Sequence, residues 1–328
     1  MTNYPYPMLV PPPFSWRKEK KAELKVHEWI QTVEWTDTSP NWSEFDVAIL
    51  GVPLSRSSIS ASSASLTPDE MRLAWKSFST YNLEEDVDLS TLRALDLGNV
   101  REHVTDISQT HANIKEAMVA MQTNHPTIFP ITLGGDHSIT AMLVKGWKEA
   151  HPTERIGVLQ FDTHFDLRDL TEIGPANGTP MRNLIESETV KGEDIYNIGL
   201  HGFFNAKSLK EYADSVGLHY VTLRSTRKAG IEKTVTSALN ELAAKVDTIY
   251  LTVDMDVLDI GVAPGAPAST PGGMYTHELL EAVTIAGKHP KVKAMDIVCL
   301  DPVKDVGQAT VKTGVHVMLS FLSGFVAR

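Results

Sequence analysis

Cysteine is nearly absent. Cys299 is the only one in 328 residues, so no disulfide can close within the chain. No apolar run is long enough to span a bilayer. The N-terminal MTNYPYP lacks the basic-then-apolar order of a secretory signal. There is no basic stripe, and the formal net charge is -11, so nucleic acid and anionic membrane are not expected partners. A Gly-rich phosphate loop and a serine nucleophile elbow are also missing. These absences leave a cytoplasmic protein as the expectation. The composition is that of a globular chain, 42% hydrophobic and 22% charged, with ample material for a core.

Residues 1–16 are rich in proline and aromatics, which rules out a regular helix and suggests an extended arm. Arg17 to Val33 has the spacing of an amphipathic helix, with Leu24 and Trp29 among its apolar positions. We expect residues 1–40 to form an arm and helix packed on a single α/β/α domain spanning 41–328. Strand patterns fall at 44–51, 92–97, 127–133, 155–161, 194–199, 218–222, 247–253 and 292–298. Most are apolar throughout, as in strands buried on both faces. Helical patterns at 107–122, 138–150, 205–215, 229–245, 276–287 and 311–326 alternate with them. Thr67-Pro68-Asp69-Glu70 reads as a capped helix start, with Thr67 as N-cap. Strand–helix alternation on this scale predicts a mostly parallel sheet covered on both faces, with ligands beyond the carboxyl ends of the strands.

Three clusters lie at such ends. In QFDTHFDLRD, Asp162, His164 and Asp166 are spaced i, i+2, i+4 and share a face of an extended chain. His137 follows the strand at 127–133 in LGGDHS, where Asp136 or Ser138 could cap the next helix. Asp254 and Asp256 follow the strand at 247–253 in TVDMDVLD. Each cluster alone suits a solvated turn or a helix cap. Together they give four carboxylates and two imidazoles at neighbouring strand ends, enough to balance two divalent cations. Carboxylate plus imidazole without thiolate favours Mn²⁺, with other divalent ions possible. Two such ions ~3.5–4 Å apart can share a water and lower its pKa, which equips a site for hydrolysis without a covalent intermediate. The remaining histidines, including His103, His111, His125, His219 and His316, sit outside these clusters and are expected at the surface or in the core.

GGDHS, FDTHFD and VDMDVLD, in this order, resemble the ureohydrolase family of arginases, agmatinases and formimidoylglutamases, over nearly the whole chain after about residue 45. The resemblance implies a three-layer α/β/α fold around an eight-stranded, mostly parallel sheet. It also implies a homo-oligomer and two Mn²⁺ per subunit held by His137, Asp162, His164, Asp166, Asp254 and Asp256. FDLR at 165–168, IGPANGTPMR at 173–182 and APGAPAS at 263–269 are most similar to the formimidoylglutamase branch, where Asn177 stands in place of a histidine usual in the other branches. The implied reaction is hydrolysis of N-formimidoyl-L-glutamate to L-glutamate and formamide, a step of histidine degradation, by attack of a metal-bridging hydroxide on the amidine carbon. Catalytic roles for Asp166 and His164 follow, with Asp166 as proton donor to the leaving amine. Arg168, Asn177 and Arg182 become candidates for the substrate's carboxylates, each arginine having an ordinary structural ion pair as its alternative.

Three departures from the family pattern stand out. His201 replaces an arginine after a strand end, and Ser63-Ala64 replaces a Gly-Ala pair. Cys299, in DIVCLDP, replaces a glutamate that pairs with the cationic part of the substrate. Cys299 is therefore a candidate substrate contact, and the departure admits two alternatives. One is an agmatinase- or arginase-like guanidino hydrolase; the other is a metal-binding homologue with weak or no catalysis. On every reading the partner is a small amidino or guanidino acid.

Overall fold

The computed structural model describes residues 8–10, 14, 23–33 and 42–328. Eight parallel strands form the centre: β1 (Val47–Gly51), β2 (Ala94–Val100), β3 (Phe129–Leu133), β4 (Ile156–Phe161), β5 (Ile195–Leu200), β6 (His219–Thr222), β7 (Thr248–Asp254) and β8 (Val292–Val298). Their spatial order is β2-β1-β3-β8-β7-β4-β5-β6. Two short strands extend the β2 edge and bring the sheet to ten: Gln31–Thr32 runs parallel to β2 and Leu9–Val10 antiparallel. The apolar strands are buried along both faces, whereas edge strand β6 is only partly covered.

Alternate side chains feed two cores. Leu159, Val253 and Ile297 join one with the helices Thr67–Ala74, Ile231–Ala243, Thr276–Lys288 and Ala309–Val326. Val158, Tyr250 and Val298 join the other with Ile107–Asn124, Ser138–Ala150, Pro180–Glu186 and Lys207–Ser215. This is the expected three-layer arrangement. Ala309–Val326 is long and apolar enough by composition to cross a membrane, yet most of it is buried in the first core. It lies backbone to backbone against Thr276–Lys288. A Cβ on Gly324 would come within 2.1 Å of the Thr284 carbonyl oxygen, so only glycine permits that approach.

Three local expectations change. Within the described part of 17–33, only Val26–Trp29 is helical, because Gln31–Thr32 is drawn into pairing with β2 and Trp29 donates its indole N–H to the Leu92 carbonyl. Leu24 is exposed while Trp29 is buried. The helix expected at 229–245 is present as Ile231–Ala243, and Gly230, with a φ of 97°, separates it from an additional helix, Leu223–Ala229. Thr67 does not cap. It is the first helical residue, and its buried hydroxyl donates to the Leu300 carbonyl at 2.6 Å, tying the helix to the chain just after β8. Most of the arm lies outside the described residues; its Leu9–Val10 lies on β2.

Candidate metal centre

Strand register sets the site. Val253 of β7 pairs with Phe161 of β4, Asp254 pairs with Val298 of β8, and Ile297 pairs with Leu133 of β3. The four central strands therefore end level, and the loops leaving them meet. His137 enters through Gly134-Gly135. A Cβ on Gly135 would lie 1.9 Å from the Leu54 carbonyl oxygen, so the loop can seat there only as glycine. Asp136 is no ligand. Its carboxylate accepts from the Ser138 and Ser57 N–H groups, both at 3.1 Å, fixing the loop to the serine-rich segment 55–65. Burial pushes its carboxyl up to about 6, against those hydrogen bonds.

The ligand atoms of His137, Asp162, Asp166 and Asp254 lie within 4.8 Å of one another, and so do those of Asp162, His164 and Asp256. Asp162 belongs to both groups. His137 Nδ1 stands 2.6 Å from Asp166, 3.1 Å from Asp254 and 3.3 Å from Asp162. His164 Nδ1 stands 3.1 Å from Asp256. Local bonds hold the loops open for this. Asp162 accepts from the His164 N–H at 2.5 Å and Asp254 from the Asp256 N–H at 2.8 Å. Asp166 has a φ of 55°, a left-handed conformation that costs a non-glycine residue ~1–2 kcal/mol. The surrounding structure holds it there, and its carboxylate joins the cluster.

Charge in this buried cluster is badly balanced by protein alone. Burial, with Asp162 and Asp254 nearby, pushes the Asp166 carboxyl up to about 7. Burial and Asp254 push Asp256 well above the carboxylate range. Burial alone would lower both histidines. Asp166, Asp162 and Asp254 nevertheless drive His137 well up, and Asp256 and Asp162 take His164 to about 12. His137 Nδ1 and Asp166 Oδ2 make no well-formed hydrogen bond despite their closeness. Converging lone pairs without a proton geometry fit a cation. The back of the site agrees. His137 Nε2 lies 2.9 Å from the Thr252 hydroxyl, which donates to Asp296 at 2.6 Å. Thr140 and Tyr250 also donate to Asp296. This chain assigns the ring proton to Nε2 and leaves the Nδ1 lone pair facing the carboxylates, the usual support behind a metal-ligating histidine.

His164, Asp166, Asp254 and Asp256 floor a cavity of about 200 Å³ lined also by Arg168, Asn177, Ile59, Ser60, Phe204, Asn205 and Leu209, with His137 and Asp162 beneath it. Among the described residues Arg168 makes no ion pair, so its guanidinium is available to an anion. Asn177 accepts from the Ile59 N–H at 2.8 Å and so fixes the serine-rich segment as one wall. Arg182 is elsewhere. It pairs with Glu186 at 2.6 Å and Asp169 at 3.3 Å, stacks on Tyr212, and does not line the cavity. Cys299 is also outside the lining, buried behind Asp254 with its N–H donating to the Gly135 carbonyl at 2.9 Å. Burial, with Asp254 and Asp256 adjacent, pushes its thiol well up, so it is neutral. Asp301, two residues on, accepts from the Ser63 and Val303 N–H groups and is structural. His201 contacts the Gly199 carbonyl and the Thr270 hydroxyl rather than the metal cavity. His111 is a core histidine between Ser57 and Ser138.

Sequence reasoning missed the Thr252–Asp296 support and the wall formed by Phe204, Asn205 and Leu209. The first carried a signal: Asp296 is a lone charge inside the otherwise buried part of β8. The second carried none, since loop 201–206 reads as generic.

The Arginase family model matches residues 45–324. This chain belongs to the arginase family. It is 43% identical to formimidoylglutamase of Halalkalibacterium halodurans, over 84% of this chain and 86% of that one. The crystal structure of Bacillus subtilis formimidoylglutamase superposes with a TM-score of 0.87 at 36% identity, covering 98% and 97% of the two chains. Trypanosoma cruzi formiminoglutamase with Mn²⁺ shares the fold at a TM-score of 0.83 and 22% identity, over 93% and 99%.

Proposed function

We propose that this protein hydrolyses N-formimidoyl-L-glutamate to L-glutamate and formamide, using two Mn²⁺ per subunit. The observation that carries this is the meeting of six ligating side chains, four of which (His164, Asp166, Asp254 and Asp256) line a small cavity together with Arg168, an arginine without an ion pair among the described residues. The similarity to formimidoylglutamases at 43% and 38% identity supports the amidine substrate. When bound, the cations supply Lewis acidity and a water deprotonated at neutral pH. Asp162, common to both ligand groups, would hold both cations. Asp166, at the cavity floor, is placed to pass a proton to the leaving amine. His164, partly exposed in the floor, faces the amidine. Arg168 takes a substrate carboxylate, and Asn177 shapes the wall beside it. We read residues 41–328 as one catalytic domain carrying the 1–40 arm, in a cytoplasmic homo-oligomer.

A second reading rests on Cys299. A neutral thiol beside Asp254 supplies no anion for an amidinium, which suits a chain that binds metal and turns over slowly. One assay separates the readings: manganese-loaded protein offered N-formimidoyl-L-glutamate, agmatine and L-arginine, with formamide and urea measured. Formamide from the first substrate alone supports the proposal, and urea from either guanidine rejects it. No product alongside two bound ions supports the second reading. In Arg168→Met, KM should rise more than kcat falls, because a carboxylate contact far from the reacting carbon is uniform binding. Unchanged kinetics would reject that role.

A further inference from the structure

A second, larger cavity of about 860 Å³ opens beside the metal centre, beyond the ends of β5 and β6. Its size is that of a small-molecule site. Its chemistry is opposite to that of the chain as a whole. The protein carries 30 basic and 41 acidic residues, yet this lining includes Lys207, Lys210, Arg224 and Arg227 with no aspartate or glutamate. Phe165, Tyr220 and Leu223 form apolar walls between these cations.

The cations are not equivalent. Arg227 is bidentate to Glu278 and also donates to the Gly273 carbonyl, so it is part of the frame. Lys207 pairs with Glu211 at 2.9 Å and Lys210 with Asp214 at 2.6 Å. Arg224 is exposed and makes no ion pair or hydrogen bond among the described residues. A positive field in a concave, apolar-walled site raises the local concentration of anions. An unpaired guanidinium there suits bidentate recognition of a carboxylate or phosphate.

We propose that this cavity binds a small amphipathic organic anion, its apolar body against Phe165 and Tyr220 and its acidic group on Arg224. The site is distinct from the metal cavity but shares a wall with it. Asn205 lines both, accepting from the Phe165 N–H at 2.9 Å and donating to the Thr163 carbonyl at 2.8 Å. The proposal is independent of which amidine or guanidine the metal site cleaves.

Isothermal titration of the full-length, manganese-loaded protein tests it, with phenyl phosphate and benzene-1,3-dicarboxylate as probes and benzamide as the neutral control. At least one anion should bind with one-to-one stoichiometry and benzamide should not; which anion binds tighter assigns the acidic group. Arg224→Glu should weaken binding at least ~10-fold, the size of one lost charge-assisted hydrogen bond. Arg224 touches no structural partner, so the variant should unfold at the same temperature as the parent, and the milder Arg224→Met should show a smaller loss. Arg168→Met, which alters only the metal cavity, should leave binding unchanged. Absence of saturable binding, binding undiminished in Arg224→Glu, or binding lost in Arg168→Met would each overturn the assignment.

Discussion

The ends of β4 and β7 and the end of β8 border the same ligand cluster, and they handle charge in opposite ways. The first two deliver five acidic or imidazole ligands, Asp162, His164, Asp166, Asp254 and Asp256, into a space too crowded with carboxylates to be balanced by protein alone. The third delivers Cys299, a buried neutral thiol behind Asp254. Cys299 and Asp166 both have a left-handed backbone, with φ of 58° and 55°. The candidate metal ligands are together, and the end of β8 adds no charge to them.

The largest effect should come from breaking the metal half. Asp162→Asn removes the carboxylate common to both ligand groups and should abolish turnover, with bound metal falling below one ion per chain by elemental analysis. Retention of two ions would mean that Asp162 does not bridge the groups.

Restoring the other half should come next in size. Cys299→Glu, whose longer side chain would have to extend past Asp254 to reach the cavity, should raise kcat for N-formimidoyl-L-glutamate by ~30–1,000-fold, the equivalent of recovering ~2–4 kcal/mol of transition-state stabilisation by analogy with an oxyanion donor. Cys299→Gln, lacking the charge, should recover much less. A parent that is already fast and slowed by Cys299→Glu would show that charge pairing is met elsewhere.

A smaller effect is expected behind the ligands. Asp296→Asn should weaken metal affinity ~10–100-fold with little change in fold, because it loosens the Thr252 support of the His137 tautomer. Equal affinity in a metal-titration assay would show that His137 needs no such support.

The smallest effect concerns stability. Burial, with Lys145 nearby, lowers His111 to about 4 from an unfolded value near 6.5. As pH falls through 6.5 the unfolded chain takes up this proton and the folded one does not. Stability is therefore complete above 6.5 and declines towards pH 4, by about 1–3 kcal/mol. His111→Asn should show a shallower decline in chemical denaturation over that window. An unchanged slope would remove His111 from the acid response.

The strands were legible because burial on both faces leaves an unbroken apolar run, and the ligands because polar groups spaced by two interrupt such runs at one end. That reasoning located His137, Asp162, His164, Asp166, Asp254 and Asp256 and the order of the layers. It could not read directions. Arg168 and Arg182 are equivalent by sequence, but only the structure turns one to the cavity and the other onto Tyr212 and Glu186. Cys299 and Asp301 are spaced to share a face. The left-handed backbone at Cys299 and the amides that claim Asp301 take both out of the lining. The basic residues Arg224 and Arg227 stand in an acid-free stretch, 215–231, but nothing in the sequence shows that their helix, Leu223–Ala229, lines one cavity with Lys207 and Lys210 of Lys207–Ser215 and with Phe165.

The central claim is that this cluster holds two cations at once. Anomalous diffraction at the manganese edge from crystals of the manganese-loaded protein addresses it without reference to activity. Two peaks per chain are expected, one among His137, Asp162, Asp166 and Asp254 and one among Asp162, His164 and Asp256. A single peak, or peaks outside these six side chains, would contradict it.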